Sequence, residues 1–346
     1  MKKVIFLNRL FSPHSGGVEK HTLNLSKELQ RKGYQISIVT ERHESNLKKN
    51  EIIEDIKVFR IPISKNQRLK KITIWKWILQ NHQIFLKADV VHAHDVFYWI
   101  LPLKLLHPSL KVFTTFHGYE GNKLPGFKEK FMHYLARNLS VRTLSVGVFY
   151  KKWYNTVSDE STYGAVHQNT YSAKIKKTRT LMTSYIGRLE EEAGIIYYIT
   201  AFRSLIKKLP VHLDIYGDGS QKGEIQKVIL DENLDITLHG WVSSPEKEIA
   251  TSEIIFTSRY LGILEALADG KYVVASYNNE IKKDYLQNTP FAKYISIASS
   301  PGEITKSVLK YLKEKDAMSK KIRDGKKWAS SQTWEKLTNQ YISLWN

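Results

Sequence analysis

The chain of 346 residues contains no cysteine. Disulfide bonds and thiolate metal sites are therefore excluded, which is in keeping with a reducing compartment. No apolar run approaches the roughly 18 residues of a membrane span. The opening MKKVIFLNRL is basic like a signal peptide, but its apolar run is only Val4 to Leu7, so it reads as a first strand. A cytoplasmic location is expected. There is no short repeat and no low-complexity segment. The glycine fingerprint GxGxxG of dinucleotide-binding folds is missing, as are helix-turn-helix and RNA-recognition patterns.

Acidic residues are scarce relative to basic ones: 53 Lys+Arg face 34 Asp+Glu, a formal net charge of +19. The excess is uneven. Residues 1–172 hold 27 basic and 13 acidic side chains, and the rest of the chain holds 26 and 21. A field of this sign attracts nucleic acid, anionic lipid or an acidic substrate, without choosing among them. An apolar content of 42% and an aromatic content of 12% describe globular chain. At about 150 residues per domain the length suggests two domains.

Strands and helices alternate. KVIFLN (3–8) is a short buried strand, followed by a helix whose face carries Val18, Thr22, Leu25 and Leu29 and which stops at Gly33. QISIVT, residues 57–62, ADVVHAHD, KVFTTFHG and VRTLSV continue the series. It restarts with LMTSYIGR, a helix over Ala193–Lys208, VHLDIYGDG, ITLHGW, EIIFTS and YVVAS. Ile304, Val308, Tyr311 and Leu312 mark a late amphipathic helix, and WASSQTWEKLTNQYISLWN reads as a final one. Two successive β-α sets imply two Rossmann-like domains, each a mostly parallel sheet covered by helices. The expected division is 1–172, 173–328 and a terminal helix, 329–346. In such sheets ligands sit beyond the carboxyl ends of the strands.

The chemistry-bearing residues fall at those ends. Gly16 and Gly17 open a helix after the first strand, where backbone N–H groups can meet an anion; a plain tight turn is the alternative. His92, His94 and Asp95 lack a third imidazole or paired carboxylate at metal-binding spacing and read as ordinary loop residues. His117 precedes Gly118 at a strand end and can donate a hydrogen bond to a sugar or phosphate. Arg188 follows Gly187 at the mouth of the next helix, placed either to fork onto phosphate or to pair with Glu190 or Glu191. Gly217 and Gly219 bracket Asp218 at another strand-to-helix turn. Glu265 lies among Leu261, Leu264, Leu267 and Ala268, so it is partly buried and needs partners. Two ribose hydroxyls would serve, each hydrogen bond to the charge contributing roughly 1.5–3 kcal/mol; a capping or ion-pair role near the helix start is the alternative.

Taken in order, SGGVEKH, VVHAHD, FTTFHG, YIGRLEEEAGI, IYGDGSQ, ITLHGWV, ILEALADGKYVVAS and TWEKLTNQY resemble the retaining glycosyltransferases of family 4, which have the glycosyltransferase-B fold. The resemblance implies two Rossmann-like domains facing across a cleft, with the last helix returning to the first domain. It implies transfer of a sugar from a nucleotide-sugar to a glycan or lipid-linked acceptor, with retention, as a hexosyltransferase that needs no metal or other cofactor. Arg188 would hold the diphosphate. Gly187, Gly217 and Gly219 would line the nucleotide pocket, with Trp241 and Val242 near the base and Glu265 on the ribose. Gly16 and Gly17 would meet the diphosphate from the other side, and His117 would sit by the transferred sugar.

Two departures stand out. The family carries two acids separated by seven residues, and counting back from Glu265 reaches Thr257; the stretch is also shortened, with SRY running straight into LGILEA. A lysine usual before Gly194 is replaced by Ala193. NNEIKKDY (278–285) offers substitutes: Lys282 or Lys283 for the diphosphate and Asn278 or Asn279 for the sugar, against the alternative of a solvated basic helix start. The missing groups leave room for a second reading, a non-catalytic nucleotide- or glycan-binding protein that keeps the fold. An epimerase would want a pair of carboxylates that is not evident, and no nucleic-acid partner is expected. RLKKITIWKWILQNHQIFLK (68–87) mixes basic and aromatic residues. It reads either as a peripheral contact with the anionic inner face of a membrane or as a covering helix packed on the sheet.

Overall fold

The computed structural model describes residues 1–62, 66–119, 124–167, 179–242 and 245–346. The expected division at 172/173 lies outside the described residues. The described residues form two compact units: residues 1–62, 66–119, 124–162 and 334–346 make the first, and residues 163–167, 179–242 and 245–333 the second.

The first unit is an eight-stranded sheet. Its strands are β1 (Lys3–Asn8), β2 (Gln35–Arg42), β3 (Asn50–Ile53), β4 (Ile56–Pro62), β5 (Val90–His94), β6 (Val112–Phe116), β7 (Thr143–Val146) and β8 (Glu160–Thr162). Their order is β3-β4-β2-β1-β5-β6-β7-β8, parallel except for β3 against β4. Val4, Phe6 and Leu7 of β1 are fully buried, as a strand covered on both faces requires. Chain order reverses between β1 and β5. That switch point is where neighbouring connections leave in opposite directions and open a crevice. The β3–β4 hairpin was not expected: its turn places Glu54 and Asp55 at φ 50° and 62°, without the glycine or asparagine that would announce it.

The second unit repeats the plan with β9 (Leu181–Ile186), β10 (Val211–Tyr216), β11 (Ile236–Gly240), β12 (Ile254–Phe256), β13 (Tyr272–Ser276) and β14 (Ser296–Ala298). The order is β11-β10-β9-β12-β13-β14, parallel throughout. Leu213, Ile215, Phe202, Leu205, Phe256 and Val274 build its core. Here the switch point lies between β9 and β12.

One expectation needs correction. The terminal segment is two helices, Lys315–Ser330 and Trp334–Trp345, rather than one. The break at 331–333 is fixed by backbone pairing, since Val166 N–H donates to Gln332 O at 2.8 Å and Val166 bridges Thr333. The last helix packs in the first unit: Tyr341 OH bonds to His21 Nε2 (2.9 Å) and Thr115 Oγ1 (3.0 Å), and Trp345 Nε1 donates to His92 Nδ1 (3.0 Å). The segment 68–87 falls in helices Gln67–Gln80 and His82–Leu86. Ile74, Ile78 and Phe85 are fully buried, and Trp75 donates its indole N–H to Tyr98 O at 2.8 Å. Much of its apolar surface is therefore spent on packing, leaving Leu69 and Ile72 exposed beside Lys71 and Lys76.

Candidate functional site

The loops that follow β9 and β12 flank the switch point of the second unit. The β9 loop runs from Gly187 through a short 3-10 turn, Glu191–Ala193, to Gly194 at φ 76°. Arg188 projects from it with a side chain 60% exposed, and its Nη2 lies 2.7 Å from Glu192 Oε1. The partner is thus Glu192, one turn on, and not Glu190 or Glu191. Glu190 instead accepts from Ser220 N–H (3.0 Å), which ties the β9 loop to the β10 loop. The Ser220 hydroxyl, which also donates to Glu190, and then this N–H hold the Glu190 carboxyl below the usual range.

Only Thr257 to Arg259 separate β12 from the helix Tyr260–Ala268. Thr257 is 1% exposed, and a Cβ added to Gly262 would lie 2.7 Å from its Oγ1. The position of the family's first acid is therefore packed against the helix and presents nothing to a ligand. Glu265 is buried in this helix, 9% exposed. Tyr260 stacks on Tyr285 (3.8 Å, 12°), and Tyr285 OH accepts the Tyr260 N–H. The shortened helix start is thus capped by a phenol in place of a side chain of its own.

Lys282 is completely buried, which removes the alternative of a solvated helix start. Its Nζ donates to the carbonyls of Glu192 (2.9 Å) and Ala193 (3.0 Å), orphan acceptors at the end of the 3-10 turn. Burial, with the Arg259 guanidinium adding to it, pushes the ammonium down to about 7. Asn278 donates to Glu191 O, and Asn279 caps the helix Glu280–Gln287 by accepting from Lys282 N–H (2.8 Å). Residues 278–282 therefore clamp the β9 loop from below. Lys283, one residue on and so turned by about 100°, lies 3.5 Å from Glu280 on its own helix.

The glycines have tight structural reasons. A Cβ on Gly217 would stand 1.9 Å from Gly187 O, and one on Gly219 would stand 2.5 Å from Leu189 O. Gly217 N–H is committed to Gly240 O (2.8 Å) and Gly187 N–H to Tyr216 O (3.2 Å). These glycines let the β9 and β10 loops interlock and so fix Arg188. Trp241, 52% exposed, and Val242 follow β11 at the sheet edge, two strands away from β9.

In the first unit the equivalent end gathers histidines. His94 Nδ1 and His117 Nε2 are 2.7 Å apart, the His21 and His117 rings 4.8 Å apart, and His92 Nε2 contacts Thr115 Oγ1 at 2.7 Å. Asp95, at φ 63°, accepts the His117 N–H at 2.8 Å. Burial pushes His21 down to about 4 and His92 down to about 3, where the neighbouring His21 adds a smaller effect; His94 and His117 fall well below the usual value for the same reasons. The reading of His92 and His94 as ordinary loop residues is corrected: both are buried strand residues of one neutral imidazole network. Among the described residues no group of three His, Asp or Glu side chains is arranged to hold a metal ion. Gly16 precedes the helix Gly17–Arg31, and the Glu19 carboxylate lies over it, 2.5 Å from where a Cβ would be. A Cβ on Gly17 would meet nothing within 4 Å.

Two residues here went unread in the sequence. Glu192 was one of three consecutive acids with nothing to single it out. Arg259 lay in the shortened stretch SRY, where nothing in the sequence aimed it at the β9 loop. The Arg259 Nη2 lies 3.9 Å from Glu192 Oε1.

Two family models match the chain in succession: Glycosyltransferase Family 4 over residues 15–150 and Glycosyl transferases group 1 over residues 181–314. No curated protein sequence matches. Among solved structures, sucrose-phosphate synthase from Thermosynechococcus elongatus superposes with a TM-score of 0.77 at 12% identity, covering 100% of this chain and 98% of that one. TarM of S. aureus, in complex with fondaparinux, alpha-GlcNAc-glycerol and UDP, gives 0.76 at 13% identity, covering 100% of both chains. HepE of Anabaena, in complex with UDP and glucose, gives 0.71 at 14% identity, covering 99% of this chain and 98% of that one.

Proposed function

Since the chain belongs to the family 4, group 1 glycosyltransferases and has their glycosyltransferase-B fold, we propose that it transfers a hexosyl group from a nucleotide-sugar to a glycan or lipid-linked acceptor with retention, without a metal. The observation that carries the reading is the placement of an exposed guanidinium, Arg188, and a buried carboxylate, Glu265, on the connections that leave the adjacent strands β9 and β12. A cation for a diphosphate and a carboxylate for ribose hydroxyls are what a nucleoside diphosphate requires at a switch point.

In this reading Arg188 holds the departing diphosphate, and stabilising that charge lowers the barrier. Lys282 supports the loop that presents Arg188 and adds charge from beneath. Glu265 anchors the ribose; Gly187, Gly217 and Gly219 shape the wall; Trp241 and Val242 stand toward the base. His117, kept neutral by burial, is a hydrogen-bond donor or acceptor for the transferred sugar, and Gly16 and Gly17 offer backbone N–H groups to the diphosphate. UDP is the leading donor nucleotide, because the HepE and TarM complexes contain it.

The buried Thr257 favours a second reading, a binding protein without turnover, since no carboxylate stands there to orient a donor sugar. A donor panel of UDP-, GDP-, ADP- and CMP-sugars, scored for released nucleotide beside Glu265→Ala, separates the two. Turnover of one donor that is lost in the variant supports the transferase. UDP binding without turnover in the presence of acceptor glycans and lipids supports the binding protein. Contact with an anionic membrane is proposed through residues 68–87, whose Leu69, Ile72, Lys71 and Lys76 are exposed. It is tested by flotation with anionic vesicles at low salt, and no association there would remove it.

A further inference from the structure

We propose that Glu192 is a built-in counter-ion occupying the anion position of the β9 loop, and that Arg259 is a second guanidinium of that position. The inference rests on the reading of this end of the unit as a nucleotide-sugar site.

One carboxylate oxygen, Glu192 Oε1, lies 2.7 Å from Arg188 Nη2 and 3.9 Å from Arg259 Nη2. The two arginines come from different loops, after β9 and after β12, on either side of the switch point. The same residue offers its backbone carbonyl to Lys282 Nζ at 2.9 Å. Three cations thus converge on one acidic residue, from its side chain and from its backbone. The exposures differ in a telling way: the Glu192 side chain is 17% exposed and that of Arg188 60%. The carboxylate is drawn inward between the cations while one guanidinium stays at the surface.

The physical logic is charge balance. Two guanidiniums and a buried ammonium repel one another when no ligand is present, and a carboxylate between them relieves that repulsion. A diphosphate carries more negative charge and more acceptor oxygens, arranged for the guanidinium fork. The Arg188–Glu192 pair is an i,i+4 contact with one exposed partner, a class of ion pair that is easily exchanged. Bound diphosphate therefore takes the place of the carboxylate, and Glu192 competes with it.

Arg259 also gives the shortened β12 connection a consequence. The deletion that removes the acid-Gly-aromatic stretch leaves Arg259 directly at the helix start, facing the β9 loop. The same shortening that loses a carboxylate places a cation beside the diphosphate position, offsetting the charge absent from Ala193.

The test is calorimetric titration of the full chain with UDP and, separately, with inorganic pyrophosphate at fixed ionic strength. Glu192→Gln is expected to bind both about tenfold tighter, and Arg259→Gln about tenfold weaker with Arg259→Lys between. In the double variant the gain from Glu192→Gln shrinks, because one of the cations it masked is gone. A merely structural salt bridge predicts the opposite sign for Glu192→Gln, so equal or weaker binding by a variant with an unchanged unfolding midpoint overturns the proposal. Should Glu192→Gln not fold, Glu192→Asp shortens the reach and must also tighten pyrophosphate binding. Wild type that binds neither probe sinks the nucleotide-site reading as well; wild type that binds both while the variants stay flat sinks the counter-ion alone.

Discussion

The Lys282 ammonium lies 3.0 Å from the carbonyl oxygen of Ala193, the position where the family resemblance leads to the expectation of a lysine. Lys282 belongs to the helix Glu280–Gln287 and binds the backbone of the β9 loop.

The position of that ammonium near neutrality has a measurable result. Its folded value, about 7, is below the ordinary 10.5, so its ionisation opposes folding: the contribution is favourable above pH 10.5 and is lost as pH falls to about 7. UDP affinity should run the other way, because an anion needs the charged form. We expect affinity to fall as pH rises through about 7, with a shallower pH profile in Lys282→Met. That variant should also be less stable by about 1–3 kcal/mol, since two carbonyls lose their donor. Titration calorimetry across pH 6–8 and urea unfolding check both.

The imidazole network should make the first unit acid-sensitive. The folded values of His21 and His92, about 4 and about 3, lie below the ordinary 6.5 because burial disfavours the charge. Their stability contribution is complete above pH 6.5 and is lost as pH falls toward those values, by about 1.4 kcal/mol per pH unit per histidine. Urea midpoints followed between pH 7 and pH 4 should drop steeply, and His21→Gln should lessen the slope.

Gly217→Ala and Gly17→Ala should behave oppositely. The new methyl at 217 would meet Gly187 O at 1.9 Å, backbone against backbone, while at 17 it meets nothing within 4 Å. The first should cost about 3 kcal/mol or prevent folding. The second should leave stability unchanged and reduce turnover, if Gly17 approaches the donor. Unfolding midpoints and turnover rates measured together separate them.

Glu265→Gln keeps the shape of a buried side chain and removes its charge. UDP should bind about 10- to 100-fold more weakly, the value of hydrogen bonds to a carboxylate. The penalty should shrink with 2′-deoxy-UDP if the ribose hydroxyls are its partners. An equal penalty for both nucleotides would move Glu265 off the ribose.

Tyr341→Phe should loosen the returning helix. Its hydroxyl bridges His21 and Thr115 inside the first unit, and both would lose a partner in a buried setting. A loss of about 1–3 kcal/mol is expected from thermal unfolding.

The sequence by itself determined the series of strands, the two β-α sets, the strand-end positions of His117 and Arg188 and the helical position of Glu265. Those features are written in local periodicity and in glycines at strand ends. Short strands such as β3, β8 and β14 carry too few residues for a period to register. What only the tertiary structure decided is which side chains meet. Lys282 and Ala193 are distant in sequence, and their contact depends on how helix Glu280–Gln287 packs under the β9 loop. Glu192 was indistinguishable from its acidic neighbours until the turn Glu191–Ala193 aimed it at Arg188. His92 and His94 read as loop residues until sheet pairing buried them and the terminal helix closed over them. Local sequence sets the conformation of a segment; the burial and charge of its side chains are set by whatever else the fold brings against it.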